Sequence, residues 1–113
     1  MPHNVPIPSR NAMSAGAAAP VRLGTIASRA AAAIESHGSR PGSAWPQLTG
    51  DQQAKNSVAQ RLVEDILNNA ASTTTFRPKH PRFGDCVDVI SPDGRGLRFD
   101  MQGNLITVLE PAL

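Results

Sequence analysis

Residues 86–110, CVDVISPDGRGLRFDMQGNLITVLE, alternate apolar and polar side chains in short runs separated by turn signals. Alternation has a period of two, which suits a strand, because the pleat sends successive side chains to opposite faces. This stretch therefore predicts an antiparallel meander with one face in need of cover. SPDG reads as a type I turn, with Pro92 supplying the required φ and Gly94 free to take a positive one. MQGN reads as the second turn, and the β-branched STTTF upstream as a further strand. About four strands result.

The turns fix a register. If Pro92, Asp93 and Gly94 form the first loop, Ser91 faces Arg95, Asp88 faces Arg98, Val87 faces Phe99 and Val89 faces Leu97. A loop of Gln102 and Gly103 then pairs Met101 with Asn104, Phe99 with Ile106 and Arg98 with Thr107. Val87, Val89, Leu97, Phe99, Ile106 and Val108 share one face. Asp88, Arg98 and Thr107 form a row on the other. A one-residue slip would send every apolar side chain to water, so the sorting itself supports the register. A longer second loop would turn Leu105 and Thr107 inward instead.

The cover is expected from DQQAKNSVAQRLVEDILNN, where Ala54, Val58, Leu62 and Ile66 recur every four residues and Val63 and Leu67 widen the stripe. Thr49 or Asp51 can cap it, and it frays at Asn68 and Asn69. The fold class is accordingly α+β, one amphipathic helix on a small antiparallel sheet, across residues 51–113. Residues 1–50 differ: they are rich in Ala, Pro, Gly and Ser, and carry Arg10, Arg22, Arg29 and Arg40 against the single acid Glu35. One short helix is expected there, TIASRAAAAIESHG, capped by Thr25 and stopped by Gly38. Its apolar residues are mostly Ala, so it buries little, and the segment reads as a tether or docking element anchored by Trp45.

A formal charge of +2 and a pI near 9.3 make the chain mildly basic, compatible with a nucleic-acid partner without demanding one. Three Phe, one Trp and no Tyr leave too few rings for a base-stacking platform. The lone Cys86 excludes an internal disulfide and, lacking an activating neighbour, reads as a small apolar residue. His3, His37 and His80 are scattered, so no metal site and no cofactor is expected. No apolar run approaches the ~20 residues of a membrane span. AMSAGAAAPVRLG is broken by Gly16, Pro20 and Arg22, and no cleavable targeting signal is expected.

The chemistry is concentrated in FRPKHPRFGD, residues 76–85, where Arg77, Lys79, His80 and Arg82 crowd around two prolines. Pro78 and Pro81 hold the backbone extended, so a loop beside the sheet edge is expected. Arg offers a forked donor to phosphate, Lys a point charge and His a proton carrier near neutral pH. Together they suffice for RNA cleavage without metal. A base takes the 2′-hydroxyl proton, cations hold the crowded phosphate, and an acid protonates the leaving oxygen. A solvated loop is the plainer alternative. Likewise the Asp88–Arg98 pair is a cross-strand ion pair first, and a phosphate clamp assisted by Thr107 second. Arg95, on the first turn, is placed to reach a backbone. Glu110, at the last strand's end, has nothing to mark it as a base.

Residues 60 to 111 resemble the C-terminal toxin tips of bacterial polymorphic toxins of the Rhs and contact-dependent-inhibition type. The resemblance rests on Asp65-Ile66-Leu67 with Asn69; on Arg82-Phe83-Gly84 with Asp88; and on Pro92 through Arg98. It continues with Gly103-Asn104-Leu105-Ile106 and Leu109-Glu110-Pro111. The helix-then-meander layout is also similar to the barnase/EndoU/colicin-tRNase group of metal-independent ribonucleases. This implies a cleft on the sheet face away from the helix, a bacterial toxin that cleaves RNA, with tRNA the expected substrate, and a cognate immunity protein. It implies action in a bacterial cytoplasm, in the producing cell or after delivery into a target. His80, Arg98, Asp88 and Thr107 are the expected catalytic residues, with Arg77, Lys79, Arg82 and Arg95 holding phosphate. Residues 1–50 do not look like a delivery region. The rival reading is therefore a non-catalytic protein-binding module or an inactivated toxin remnant; DNA cleavage is disfavoured by the missing metal ligands.

Overall fold

The structure is a computed structural model, and residues 6–112 are described. His3 lies outside them. Three helices precede a four-stranded sheet: α1 (Arg10–Ala18), α2 (Arg29–Gly38), α3 (Gln52–Asn68), β1 (Thr73–His80), β2 (Gly84–Ile90), β3 (Gly96–Asp100) and β4 (Leu105–Leu109). The sheet is an antiparallel meander in the order β1-β2-β3-β4. The α+β class expected from the alternation is the one observed.

The β2–β3 register is the expected one. Val87 faces Phe99, Asp88 faces Arg98 and Val89 faces Leu97. Ser91 N–H donates to the Arg95 carbonyl at 2.9 Å, and Gly94 closes the turn at φ 92°. The second turn differs. Asp100, not Met101, pairs with Asn104, so the loop holds Met101, Gln102 and Gly103. The Asp100 carboxylate selects it by accepting from the Gln102 and Asn104 amides, both at 2.9 Å. Phe99 consequently pairs with Leu105, which is buried, and Ile106 leaves the core. A bulge between Arg98 and Phe99 absorbs the extra residue, so Thr107 still faces Arg98.

α3 begins at the expected cap, with Asp51 accepting from the Ala54 amide at 2.8 Å, but its buried stripe is rotated. Ala59, Val63, Ile66 and Leu67 face the core, whereas Ala54 and Val58 are exposed. The cause lies in the neighbours. α3 packs mainly on α1 and α2 and meets the sheet chiefly at β2, and polar side chains hold it along its length. Asn56 joins the Ser28 amide to the Ile26 carbonyl, and Gln60 and Glu64 hold Ser14.

Of the two expectations for residues 1–50, tether or docking element, the structure shows the second: the segment is built into the core. Met13, Ala17, Ala30, Ala31, Ile34, Trp45 and Leu48 join Val63, Val87, Leu97, Phe99 and Val108 in one cluster. α1, which the sequence reading did not anticipate, starts at Ser9, whose side chain accepts from the Ala12 amide. It lies against the second turn because Gly16 has no Cβ: one there would strike the Gly103 carbonyl. α2 starts at Ser28 instead of Thr25, its hydroxyl accepting from the Ala31 amide at 3.0 Å. It runs beside β4 with two working faces. Ala30, Ala31 and Ile34 enter the core with Ala33 packed at its edge, while Arg29, Ser36 and His37 line the cleft on its other side.

Candidate nucleic-acid cleft

The basic segment is a strand and a bent hairpin tip rather than a loop. β1 runs through Pro78 to His80; as an edge strand it tolerates a residue with no N–H to donate. Its pairing with β2 jumps between Arg77 and His80. Lys79 takes φ 53°, its amide donating to Asp85 Oδ1 at 2.9 Å, and Gly84 takes φ 68°. This irregularity bends the tip towards the polar sheet face, so that His80 and Phe83 meet Arg98, one strand beyond β2.

Asp88 anchors that face. Its side chain is 2 % exposed and accepts two bonds from Arg98, Nε to Oδ1 and Nη2 to Oδ2, both at 2.7 Å, with Arg77 Nε adding one at 3.2 Å. Two parallel charge-assisted bonds hold the Arg98 guanidinium in one plane. Those bonds, chiefly, raise its proton affinity further above the ordinary arginine range. The remaining nitrogen, Nη1, sits 3.2 Å from His80 Nε2. His80 Nδ1 meanwhile accepts from the Arg82 and Phe83 amides at 3.1 and 3.3 Å. A neutral imidazole has one donor and one acceptor nitrogen, so this arrangement puts the hydrogen on Nε2. Two donors, His80 Nε2–H and Arg98 Nη1–H, then stand side by side. An anionic oxygen between them is the natural complement.

Phe83 stacks on His80, with centroids 4.9 Å apart, and lies within cation–π reach of Arg82 (5.2 Å) and Arg98 (5.9 Å). Beyond it opens a cleft of about 540 Å³ between the hairpin tip and α2. Arg82 and Phe83 line one side, residues 105–109 of β4 contribute more of the lining, and Arg29, Ser36 and His37 of α2, with Arg40 just past its end, line the other. No carboxylate lines it.

Of the residues expected at a site, His80, Asp88, Arg98 and Arg77 are brought together, and Arg82 joins them through Phe83. Thr107 faces Arg98 across the ladder and is 3.4 Å from His37 Nε2. Lys79 is exposed on the tip. Arg95 is not part of the group: it pairs with Asp93 at 3.0 Å and lies over Trp45 at 4.9 Å. Burial raises the Cys86 thiol above its ordinary range, which keeps it protonated, as an apolar residue should be.

α2 contributes residues to this cleft that the sequence pattern alone does not mark. Glu110 accepts from Ser43 Oγ at 2.6 Å, from the Ala44 amide at 2.8 Å and from His37 Nδ1 at 3.0 Å. Its carboxyl is pulled down to about 2, first by the Ser43 hydroxyl; burial, the next largest effect, opposes this, and the Ala44 amide and His37 add to the lowering. Arg29 and His37 share one side of α2, with Arg40 just past its end, which becomes legible once α2 is recognised as a packed helix. Assigning it to a tether hid that.

A four-stranded meander with helices packed against it and Arg77 and Arg98 converging on Asp88 is a small α+β domain with a cationic, polar sheet face. The chain belongs to the CdiA C-terminal tRNase toxin domain family, whose model matches residues 17–110. It is similar in fold to the toxic C-terminal tip of CdiA from Pseudomonas aeruginosa, solved in complex with its immune protein. That likeness has a TM-score of 0.63 and 22 % identity, over 84 % of this chain and 98 % of that one. No curated protein matches this chain. Among the described residues no helix is long and apolar enough to cross a membrane, and no three His, Cys, Asp or Glu side chains converge as metal ligands.

Proposed function

We propose that this domain cleaves tRNA inside a bacterial cell by metal-independent transesterification on the polar face of its sheet. Family membership supports a tRNA-cleaving toxin. The observation that carries the chemistry is the Arg98 guanidinium, locked by buried Asp88 beside a second donor on His80. A phosphate seated on that pair is polarised in the ground state. It is held more tightly as charge builds on its equatorial oxygens, which is the condition for rate acceleration.

His80 then acts as a neutral N–H donor to the phosphate. Its Nδ1 accepts from two amides, so in this reading it serves the phosphate through Nε2–H in place of the proton-carrier role expected from the sequence. Asp88 is a positioning residue. Arg77, Lys79 and Arg82 lie along the tip, where flanking phosphates would pass, and Thr107 lies across the ladder from Arg98. A cognate immunity protein would act most simply by covering this cationic face, as a carboxylate-rich surface can.

The test is incubation of the purified domain with bacterial tRNA in EDTA, alongside Arg98→Ala. Discrete fragments from the wild type and a rate at least ~10²-fold lower for the variant are expected. Equal cleavage by both would remove the phosphate clamp from the account. Intact tRNA throughout would favour the protein-binding module.

A further inference from the structure

We infer that His37, oriented by Glu110, is the general base of this cleft; the inference rests on the cleavage reading above. Glu110 is an acceptor-only carboxylate 3.0 Å from His37 Nδ1, so the imidazole must place its hydrogen on Nδ1 and leave the Nε2 lone pair free. The carboxylate is itself fixed by Ser43 and by the Ala44 amide, so the ring is held from behind. A carboxylate behind a histidine sets the tautomer of a catalytic base in this way, here from a side chain that is 34 % exposed and held in place by its own hydrogen-bond donors. Nε2 faces Thr107 Oγ1 at 3.4 Å, which is long for a hydrogen bond, and Thr107 Oγ1 can instead donate to the Val108 carbonyl. The lone pair is therefore available to an incoming hydroxyl.

Position agrees with tautomer. His37 lines the cleft with its side chain 13 % exposed, sheltered yet reachable. Glu110–His37, Thr107, Arg98 and His80 follow one another across the sheet, so the base stands at one end of the row and the phosphate donors at the other. The two histidines are held in opposite senses: His37 offers an acceptor and His80 a donor. The cleft between α2 and the tip also carries Arg29, Arg40 and Arg82, none with an acidic partner among the described residues. Arg29 Nε is buried with no hydrogen-bond partner. A polyanion threaded there would satisfy it and bring a ribose past His37.

In the step so defined, His37 Nε2 takes the 2′-hydroxyl proton as the 2′-oxygen bonds to phosphorus. The bond from phosphorus to the 5′-oxygen breaks with its electron pair on oxygen, which takes a proton from water. The hydroxide left behind is neutralised by the proton on His37. The products are a 2′,3′-cyclic phosphate and a 5′-hydroxyl, with the enzyme unchanged.

Single-turnover cleavage of tRNA and tRNA binding would be measured for wild type, His37→Ala, His37→Gln, Glu110→Gln and Arg98→Ala. His37→Gln can still donate to Glu110 and preserve packing, but cannot take a proton. Both His37 variants should lose about 10²- to 10⁴-fold in rate while the tRNA dissociation constant moves less than about threefold. Added imidazole should restore part of the His37→Ala activity, which no structural role would allow. Glu110→Gln should lose rate at unchanged affinity. Cleavage by His37→Gln at the wild-type rate, with Arg98→Ala inactive, would overturn this inference and leave the cleavage reading standing. A wild type that leaves tRNA intact would overturn both.

Discussion

Asp88→Ala isolates the interaction on which the polar face depends. The Asp88 side chain is 2 % exposed and accepts bonds at 2.7, 2.7 and 3.2 Å, the first two from an arginine whose side chain is 15 % exposed. Truncation removes the acceptor and leaves Arg98 as a nearly buried charge with only His80 beside it, itself facing Arg98 with a donor. Breaking such a buried pair from one side costs about 3–5 kcal/mol. Arg77 is 56 % exposed, so its share is about 0–1 kcal/mol. At about 4 °C per kcal/mol for a domain of this size, the melting temperature should fall by about 12–20 °C. Trp45, 2 % exposed and donating Nε1–H to the Leu109 carbonyl at 3.0 Å, gives a fluorescence signal for urea unfolding. The double variant Asp88→Ala/Arg98→Met should recover at least half of the loss, because no buried charge remains. A fall of under ~1 kcal/mol for Asp88→Ala, or a double variant no more stable than the single, would refute the claim that Asp88 neutralises Arg98.

The other expectations are smaller in scope. Gly16→Ala usually stabilises a helix by about 1 kcal/mol, yet here the new methyl meets the Gly103 carbonyl, so a net loss of about 1–3 kcal/mol is expected in the same urea assay. Phe99→Ala empties a site with no exposed surface and should cost about 3–5 kcal/mol; a value below 2 would mean the cluster collapses onto the gap. Glu110 has a folded-state value depressed from 4.5 to about 2. Its contribution to stability is therefore present in full above pH 4.5 and lost as pH falls towards 2. The stability difference between wild type and Glu110→Gln, followed across that window, should shrink on acidification; a difference that grows would reverse the assignment.

How far the residues announced this structure depended on the scale of the cause. Asp88 opposite Arg98 followed from the alternation of side chains and one turn whose proline and glycine leave little choice. The second turn was misread because two loop lengths both sort apolar from polar. The Asp100 carboxylate, which settles the matter by binding the turn's own amides, carries no weight in a count of apolar residues. The α3 stripe turned because Asn56 and Gln60 do the work assigned to Ala54 and Val58, and a polar contact between helices leaves no hydrophobic period. α1 and α2 bury alanine and glycine, which sequence patterns rank as weak, although close helix packing needs small residues. His37 was overlooked for the same reason. Its role depends on a helix held against β4 and on Glu110, 73 residues later in the chain.

The most direct measurement is the chemistry of the ends of tRNA fragments made by the purified domain in EDTA. The account predicts fragments bearing 2′,3′-cyclic phosphate and 5′-hydroxyl termini, produced at the same rate with or without chelator. Fragments with 3′-hydroxyl and 5′-phosphate ends, or cleavage only after a divalent metal ion is added back, would contradict it.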